Sequence, residues 1–150
     1  MTVTAFTTTI PVELVLASGR KPFDLNNIFI TSQNPLDLVD YAEISGFPRN
    51  SCAWIKGLFS VMKDKSVSDK IDLFVAVTEG DCSNARVLTE IIEKELSLKT
   101  YIFNYPYSRS HSEMEPEIEK FASFLGTTVE KGEAVRRDLS AIRAKLKYID

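Results

Sequence analysis

Cysteine and histidine are scarce in this sequence, with two cysteines and one histidine among 150 residues. The cysteines, Cys52 and Cys82, do not form a CxxC pair, and so small a number excludes a disulfide framework. A structural zinc site or an iron–sulfur cluster usually takes four protein ligands. The chain alone therefore falls short of a complete ligand set for either, even if His111 is counted.

Long apolar runs and concentrated positive charge are also missing. No apolar run approaches the roughly 20 residues that span a bilayer, and the net charge is −3 with the basic residues scattered. The N-terminal segment MTVTAFTTTI lacks the basic and apolar regions of a secretory signal. We therefore expect a cytoplasmic protein that binds neither membranes nor nucleic acid.

Alternating helix and strand patterns predict an α/β fold. The segment IDLFVAVTE, a predicted strand over 71–78, is a near-continuous apolar run of the kind that parallel sheets bury on both faces. Other strands are expected at 22–30 and in KTYIFNYPY, and helices at 11–18, in NPLDLVDYAEISG and at 115–125. This order favours a Rossmann-like, three-layer domain with a small, mostly parallel sheet flanked by helices. No G-x-G-x-x-G follows any predicted strand, so the usual dinucleotide fingerprint is missing.

The chain is expected to divide into three segments. These are an N-terminal tail (1–9), a Rossmann-like domain (10–128) and a C-terminal amphipathic helix (129–150) that leads toward a domain not present. In the last segment apolar residues recur at steps of four, three, four and three, at Val135, Leu139, Ile142, Leu146 and Ile149. This narrow stripe can pack on the domain itself or on another chain.

Both cysteines are expected in the first turn of a helix. The candidate N-caps are Asn50 or Ser51 for the helix at Cys52, and Asp81 or Ser83 for the helix at Cys82. Connectivity places both helix starts beyond the carboxyl ends of the strands, where open α/β sheets bind ligands. Because a helix N-terminus stabilises a thiolate, the two sulfurs are candidate metal ligands. The alternative is that both cysteines are buried and fill space near the core.

Several polar residues are weaker candidates for a functional role. Glu13, an acid in a short apolar helix, is a candidate general base, although the helix dipole or plain solvent exposure explains it equally well. Glu79 and Asp81 flank Gly80 and can tune local charge, while capping also explains Asp81. The segment SRS at 108–110 is a candidate anion contact, and His111 is expected in the same polar loop, exposed to solvent.

Four stretches in this order resemble the 2-hydroxyglutaryl-CoA dehydratase D-component family. They are IPVELVLASGRKPFDL, RNSCAWIKG, IDLFVAVTEGDCSNARVLTEII and YIFNYPYSRSHSE. The resemblance covers most of residues 10–125. The family includes 2-hydroxyacyl-CoA dehydratase subunits, benzoyl-CoA reductase subunits and double-cubane cluster reductases.

The resemblance implies a cytoplasmic enzyme subunit of anaerobic metabolism that holds a 4Fe-4S cluster. Cys52 and Cys82 match the family's first two cluster cysteines, while a third ligand comes from a later domain. In such dehydratases an ATP-dependent activator iron–sulfur protein supplies an electron to a dimer, and a 2-hydroxyacyl-CoA loses its hydroxyl group through a ketyl radical. The implied partners are a second dehydratase subunit or a second copy, the activator and the acyl-CoA substrate, with Glu13 a candidate for substrate contact or proton transfer.

This chain is shorter than half of a family subunit, so two functions are expected from the sequence. The first is the cluster-binding N-terminal domain of a dehydratase-like lyase, which we expect to bind a cluster poorly and to be inactive by itself. The second is a non-catalytic interaction or regulatory module that acts through its C-terminal helix. A subunit of a related benzoyl-CoA reductase or double-cubane reductase is a variant of the first.

Overall fold

The computed structural model describes residues 2–108 and 110–147. Its strands are β1 (Val3–Phe6), β2 (Lys21–Asp24), β3 (Leu73–Val77) and β4 (Thr100–Phe103). Its helices are α1 (Val12–Ala17), α2 (Leu25–Ile30), α3 (Pro35–Ile44), α4 (Ala53–Lys63), α5 (Lys65–Ser68), α6 (Ser83–Leu96), α7 (His111–Leu125) and α8 (Val129–Leu146). Within the described residues, none of these helices has the length and apolar character needed to cross a membrane.

The four strands form one parallel sheet in the order β2-β1-β3-β4. All five residues of β3 are buried, as the near-continuous apolar run predicted, because helices cover both faces of the sheet. The predicted α/β class, the parallel sheet and the flanking helices are therefore confirmed. Since all strands run the same way, their carboxyl ends meet at one edge of the sheet, and the loops after them lie side by side there.

Alternate residues of β3 divide the core into two layers. Phe74 and Ala76 face the cluster formed with α2, α3, α4 and α6. Leu73, Val75 and Val77 face a second cluster, to which α1 and α7 contribute. This period of two is the ordinary alternation of a strand, and it produces the three-layer arrangement.

Two predicted boundaries at the start of the chain are wrong. The first nine residues, expected to be a tail, contain β1, which pairs with both β2 and β3. The strand expected over 22–30 ends at Asp24, and α2 follows at once. The Asp24 carboxylate accepts a hydrogen bond from the Asn26 amide at 2.9 Å, and this N-cap starts a helix where the apolar composition alone suggested a strand.

The C-terminal helix, α8, begins at the first residue of the expected C-terminal segment, and its described part extends to Leu146. Thr128 caps α8 through its side chain, so the first helical residue is Val129. The apolar stripe is only partly covered, because Val135 and Leu139 are half-buried whereas the last two described members, Ile142 and Leu146, are 56% and 55% exposed. Ile149 lies outside the described residues.

Candidate cysteine site

A cavity of about 460 Å³ lies at the carboxyl edge of the sheet, and both cysteines line it. Its walls come from the loop after β1, the end of β2, and the starts of α2, α4 and α6. The lining residues are Phe6, Thr7, Thr8, Thr9, Asp24, Asn26, Cys52, Trp54, Ile55, Leu58, Asp81, Cys82 and Ala85. The structure thus brings together two cysteines that are 30 positions apart in the sequence.

Both cysteines occupy N-cap positions, Cys52 for α4 and Cys82 for α6. The predicted caps, Asn50 or Ser51 and Asp81 or Ser83, are therefore wrong by one or two positions. Neither cysteine side chain forms a capping hydrogen bond, so N–H groups in the first turn of each helix lack their usual side-chain acceptor beside the sulfur atoms. Helix N-termini of this kind favour an anionic group.

The two thiols are free and exposed. The alternative that both cysteines fill space near the core is therefore wrong. Burial of a cysteine would remove it from solvent and make it chemically inert, whereas an exposed thiol at a helix start can act as a ligand or nucleophile.

A contact between α2 and α4 fixes the start of α4. The indole Nε1 of Trp54 donates a hydrogen bond to Oδ1 of Asn26 at 2.7 Å, and the Trp54 ring meets the Phe29 ring edge-on, with centroids 5.2 Å apart. One turn further along, a Cβ atom on Gly57 would overlap the Phe29 ring, so glycine allows the two helices to approach closely. These contacts hold Cys52 at the cavity wall.

A left-handed turn precedes Cys82. Gly80 has φ +90°, and a Cβ atom there would lie 2.6 Å from Cβ of Tyr105, so both backbone conformation and space call for glycine. The next residue, Asp81, accepts a hydrogen bond from the Cys82 amide at 2.6 Å through Oδ1 and from the Thr8 hydroxyl through Oδ2. The same carboxylate therefore joins the loop after β1 to the start of α6.

The sequence analysis missed Asn26, Trp54 and the threonines of the first loop as parts of this site. Asn26 was placed inside an expected strand, and Thr7 to Thr9 inside an expected tail. For Asn26 and the threonines the only sequence signal was position, since each follows closely on the end of a strand, where parallel sheets gather their ligand-binding residues, whereas Trp54 lies two residues after Cys52.

Glu13 has a different setting. Its Oε1 accepts a hydrogen bond from Nη2 of Arg143 on α8 at 2.6 Å, and it is not among the residues that line the cysteine cavity. The contact ties α8 to α1. Glu13 is thus part of a helix–helix contact, and a role as general base has no support from the cavity's geometry.

A second cavity of about 670 Å³ adjoins the first through Asp81. The rest of its lining comes from the loop before α6, the segment after β4 and the start of α7: Gly80, Tyr105, Pro106, Tyr107, Ser110, His111 and Met114.

His111, expected in a loop, is instead the first residue of α7 and is exposed. Burial raises the pKa of Tyr105, whose hydroxyl donates to the Thr9 carbonyl at 2.7 Å. Of the proposed anion contact at 108–110, Arg109 lies outside the described residues, while Ser108 donates to Glu113.

Within residues 2–108 and 110–147, no three cysteine, histidine or acidic side chains are grouped so that they could hold a metal ion. The cysteine pair is therefore a partial ligand set at most. This agrees with the count of ligands in the sequence, which already fell short of four.

Two comparisons bear on identity. A search of curated proteins found no match. The family model described as 2-hydroxyglutaryl-CoA dehydratase, D-component, matches residues 7–145, which include both cysteine-bearing loops and every strand of the sheet except β1. The chain therefore belongs to the 2-hydroxyglutaryl-CoA dehydratase D-component family.

Proposed function

We propose that this chain is the cysteine-bearing part of an iron–sulfur 2-hydroxyacyl-CoA dehydratase, in which Cys52 and Cys82 are two ligands of a 4Fe-4S cluster. The observation that carries the proposal is that two exposed thiols, from separate helix starts, line the same cavity at the ligand-binding edge of the sheet. Membership of the dehydratase family supports the same chemistry.

The residues present fit such a cluster in type and setting. Thiolates are the usual ligands of iron–sulfur clusters, and a thiolate-ligated cluster is anionic, which suits the available N–H groups at the starts of α4 and α6. Two of the four ligands are accounted for. The remaining positions would be filled by another chain, a further domain, substrate or water.

When bound, the cluster would supply electron transfer and Lewis-acid chemistry toward the substrate oxygen. The chain's own part is to hold and orient it: Cys52 and Cys82 would ligate iron, and the two helix N-termini would stabilise the negative charge. The substrate would be a 2-hydroxyacyl-CoA, which loses its C2 hydroxyl and a C3 proton as water. A second dehydratase subunit or a second copy, and an ATP-dependent activator, would be the protein partners. Exposed free thiols suit a reducing compartment such as the cytoplasm.

Anaerobic reconstitution with iron and sulfide tests this proposal. We expect the wild-type chain, alone or together with its partner subunit, to acquire the visible absorption of a thiolate-ligated cluster and to show iron and acid-labile sulfide in equal amounts. Four irons per chain would indicate small molecules in the open positions, and two per chain would indicate one cluster shared by two copies. A paramagnetic signal after reduction identifies the cluster type.

Matched variants make the test specific. Cys52→Ala and Cys82→Ala should each abolish cluster binding, whereas Ser51→Ala and Ser83→Ala, which change the neighbouring residue of each cysteine, should not. The proposal is overturned if the cysteine variants bind iron and sulfide as the wild type does, or if the wild type binds none even together with its partner subunit.

The exposure of Ile142 and Leu146 favours a second candidate function, a module that binds a protein partner through α8. Ile142→Glu and Leu146→Glu should then abolish partner binding without unfolding the chain, because both side chains are more than half exposed. Ser140→Glu, another exposed position on α8, is the control. Light scattering after size-exclusion chromatography, alone and with a dehydratase partner subunit, reads out the result, and unchanged association in both glutamate variants rules the module out.

A further inference from the structure

The loop after β1 contains three consecutive threonines, and each is hydrogen-bonded to a different segment of the chain at the carboxyl edge of the sheet. The Thr7 carbonyl accepts a hydrogen bond from Nδ2 of Asn26 at 2.5 Å. The Thr8 hydroxyl donates to Oδ2 of Asp81, and the Thr9 carbonyl accepts from the Tyr105 hydroxyl at 2.7 Å. We call residues 7–9 the threonine loop.

One path leads from the threonine loop to Cys82. Thr8 bonds one carboxylate oxygen of Asp81, and the other oxygen accepts the amide N–H of Cys82 at 2.6 Å. The position of the α6 N-cap is therefore tied, through a single side chain, to the end of β1. Loss of the Thr8 hydroxyl would leave half of that carboxylate without its protein donor and free Asp81 to rotate.

A second path leads to Cys52. Asn26 donates to the Thr7 carbonyl and accepts from the Trp54 indole, and Trp54 lies two residues after Cys52. Asn26 also donates to Asp24 at 2.9 Å, so its amide is held from three directions. The starts of α4 and α6 are therefore both positioned by hydrogen bonds to the same loop.

We propose that the threonine loop is a positioning element that sets the separation of the Cys52 and Cys82 sulfur atoms. β1 is hydrogen-bonded on both sides, to β2 and β3, so the position at which the threonine loop begins is fixed by the sheet. A site with two ligands on different helices needs such a common reference, because small errors in the placement of either ligand disturb the geometry. The importance of this spacing rests on the proposed cluster function, while the spacing itself is a property of the chain alone.

The two native cysteines allow a direct measurement, since the chain has no others to remove. Nitroxide labels on Cys52 and Cys82 of the iron-free chain report their distance distribution by pulsed electron paramagnetic resonance. Thr8→Val, which keeps the shape and removes the hydroxyl, should widen the distribution at least about twofold, since the ligand-supporting contact is lost. Thr8→Ser should restore the native width. Thr100 is the control position, because its hydroxyl donates to the Leu98 carbonyl at the opposite edge of the sheet. Thr100→Val should leave the width of the distance distribution unchanged.

Alkylation rates separate the two paths. Thr8→Val should change the rate at Cys82 by at least about threefold and leave Cys52 unchanged, because only the Asp81 path is broken. Asn26→Asp keeps an oxygen for Trp54 but removes the side-chain donors to both Thr7 and Asp24, and it should change the rate at Cys52 alone. Mass spectrometry of the modified peptides gives both rates in each sample.

Folded Thr8→Val and Asn26→Asp variants with native distance distributions and native alkylation rates at both cysteines overturn the proposal. So does a Thr8→Ser variant that behaves like Thr8→Val, because the effect would then not depend on the hydroxyl. Neither measurement uses iron, so a failure of cluster binding and a failure of the positioning proposal give different results.

Discussion

Arg143 and Glu13, 130 positions apart in the sequence, meet across 2.6 Å between a guanidinium nitrogen and a carboxylate oxygen. The pair joins α8 to α1, and Gly132 supports the same contact by allowing the Leu14 side chain to approach α8 closely. A residue engaged in this way serves helix packing, which accounts for an acid in a mostly apolar helix without a catalytic role.

Substitution at this pair distinguishes packing from catalysis. Glu13→Gln should lower the free energy of unfolding by about 0.5–1 kcal/mol, as expected for a pair with one partner nearly half exposed. Arg143→Met should cost a similar amount, and the double variant should cost less than the sum of the two. Urea denaturation measures these values. If Glu13 were a general base, Glu13→Gln would abolish turnover in the active complex while Arg143→Met would not.

The close approach of α2 and α4 makes Gly57 sensitive to substitution. Gly57→Ala should lower the free energy of unfolding by about 1–3 kcal/mol, because the new methyl overlaps the buried Phe29 ring. Gly132→Ala is the matched comparison, since its methyl would meet the flexible end of Leu14 at 2.6 Å and alanine also favours the helix. We expect it to cost less. Thermal unfolding of the two variants decides, and equal costs would contradict the importance of the Phe29 contact.

A buried ion pair joins α3 to α4. The Nζ of Lys56, which is nearly inaccessible to solvent, lies 2.6 Å from Oε1 of Glu43 and donates to the Arg49 carbonyl at 3.1 Å. Lys56→Met should lower the free energy of unfolding by about 1–3 kcal/mol, because it leaves Glu43 without its cationic partner. The loss is smaller than for a fully buried pair, since Glu43 is partly exposed and regains some hydration.

The control for Lys56 lies on the same helix. Lys63 pairs with Glu95 at 2.8 Å in a partly exposed setting, and Lys63→Met should cost much less than Lys56→Met because solvent screens an exposed pair. Chemical denaturation compares the two variants. A Lys63→Met variant that loses as much as Lys56→Met would show that burial is not what distinguishes the pairs.

Stability at alkaline pH should depend on Tyr105. Burial raises its pKa above the ordinary value of 10.0, so the folded state holds the proton more tightly than the unfolded state does. The resulting stabilisation is fully present below pH 10.0 and is lost as the pH rises through the folded-state pKa. Tyr105→Phe should therefore show a shallower loss of stability as the pH rises above 10.0.

Two further measurements define the Tyr105 prediction. Tyr105→Phe also removes the donor to the Thr9 carbonyl, so its stability at neutral pH should fall by about 1 kcal/mol. Tyr107→Phe, at a position that is mostly exposed, should keep the wild-type pH profile. Identical profiles for all three proteins would contradict the assignment.

Local patterns predicted the parts of the fold that depend on local sequence. The apolar run of β3 and the cysteines at two helix starts were visible because burial on both faces and helix initiation leave short signatures. The shared cavity followed from connectivity, since parallel strands end at one edge.

The first strand and the second helix, α2, were missed for physical reasons. β1 has only four residues, and one of them is the polar but fully buried Thr4. Its strand conformation depends on pairing with β2 and β3. The apolar residues of α2 suit either a strand or a helix, and the Asp24 cap decides between them. Hydrogen bonds of the threonine loop connect distant segments and have no local signature.

The span of those hydrogen bonds sets the order in which the site can form. The threonine loop bonds partners 19, 73 and 96 positions further along the chain. During synthesis Cys52 is made before Cys82, and the hydrogen bonds of the threonine loop are complete only after Tyr105 has emerged. Long-range contacts of this kind form late and slowly. A ligand that needs both cysteines would therefore bind only after the chain has been synthesised beyond Tyr105, and a nascent chain that ends before Tyr105 would present Cys52 without the Thr9–Tyr105 hydrogen bond.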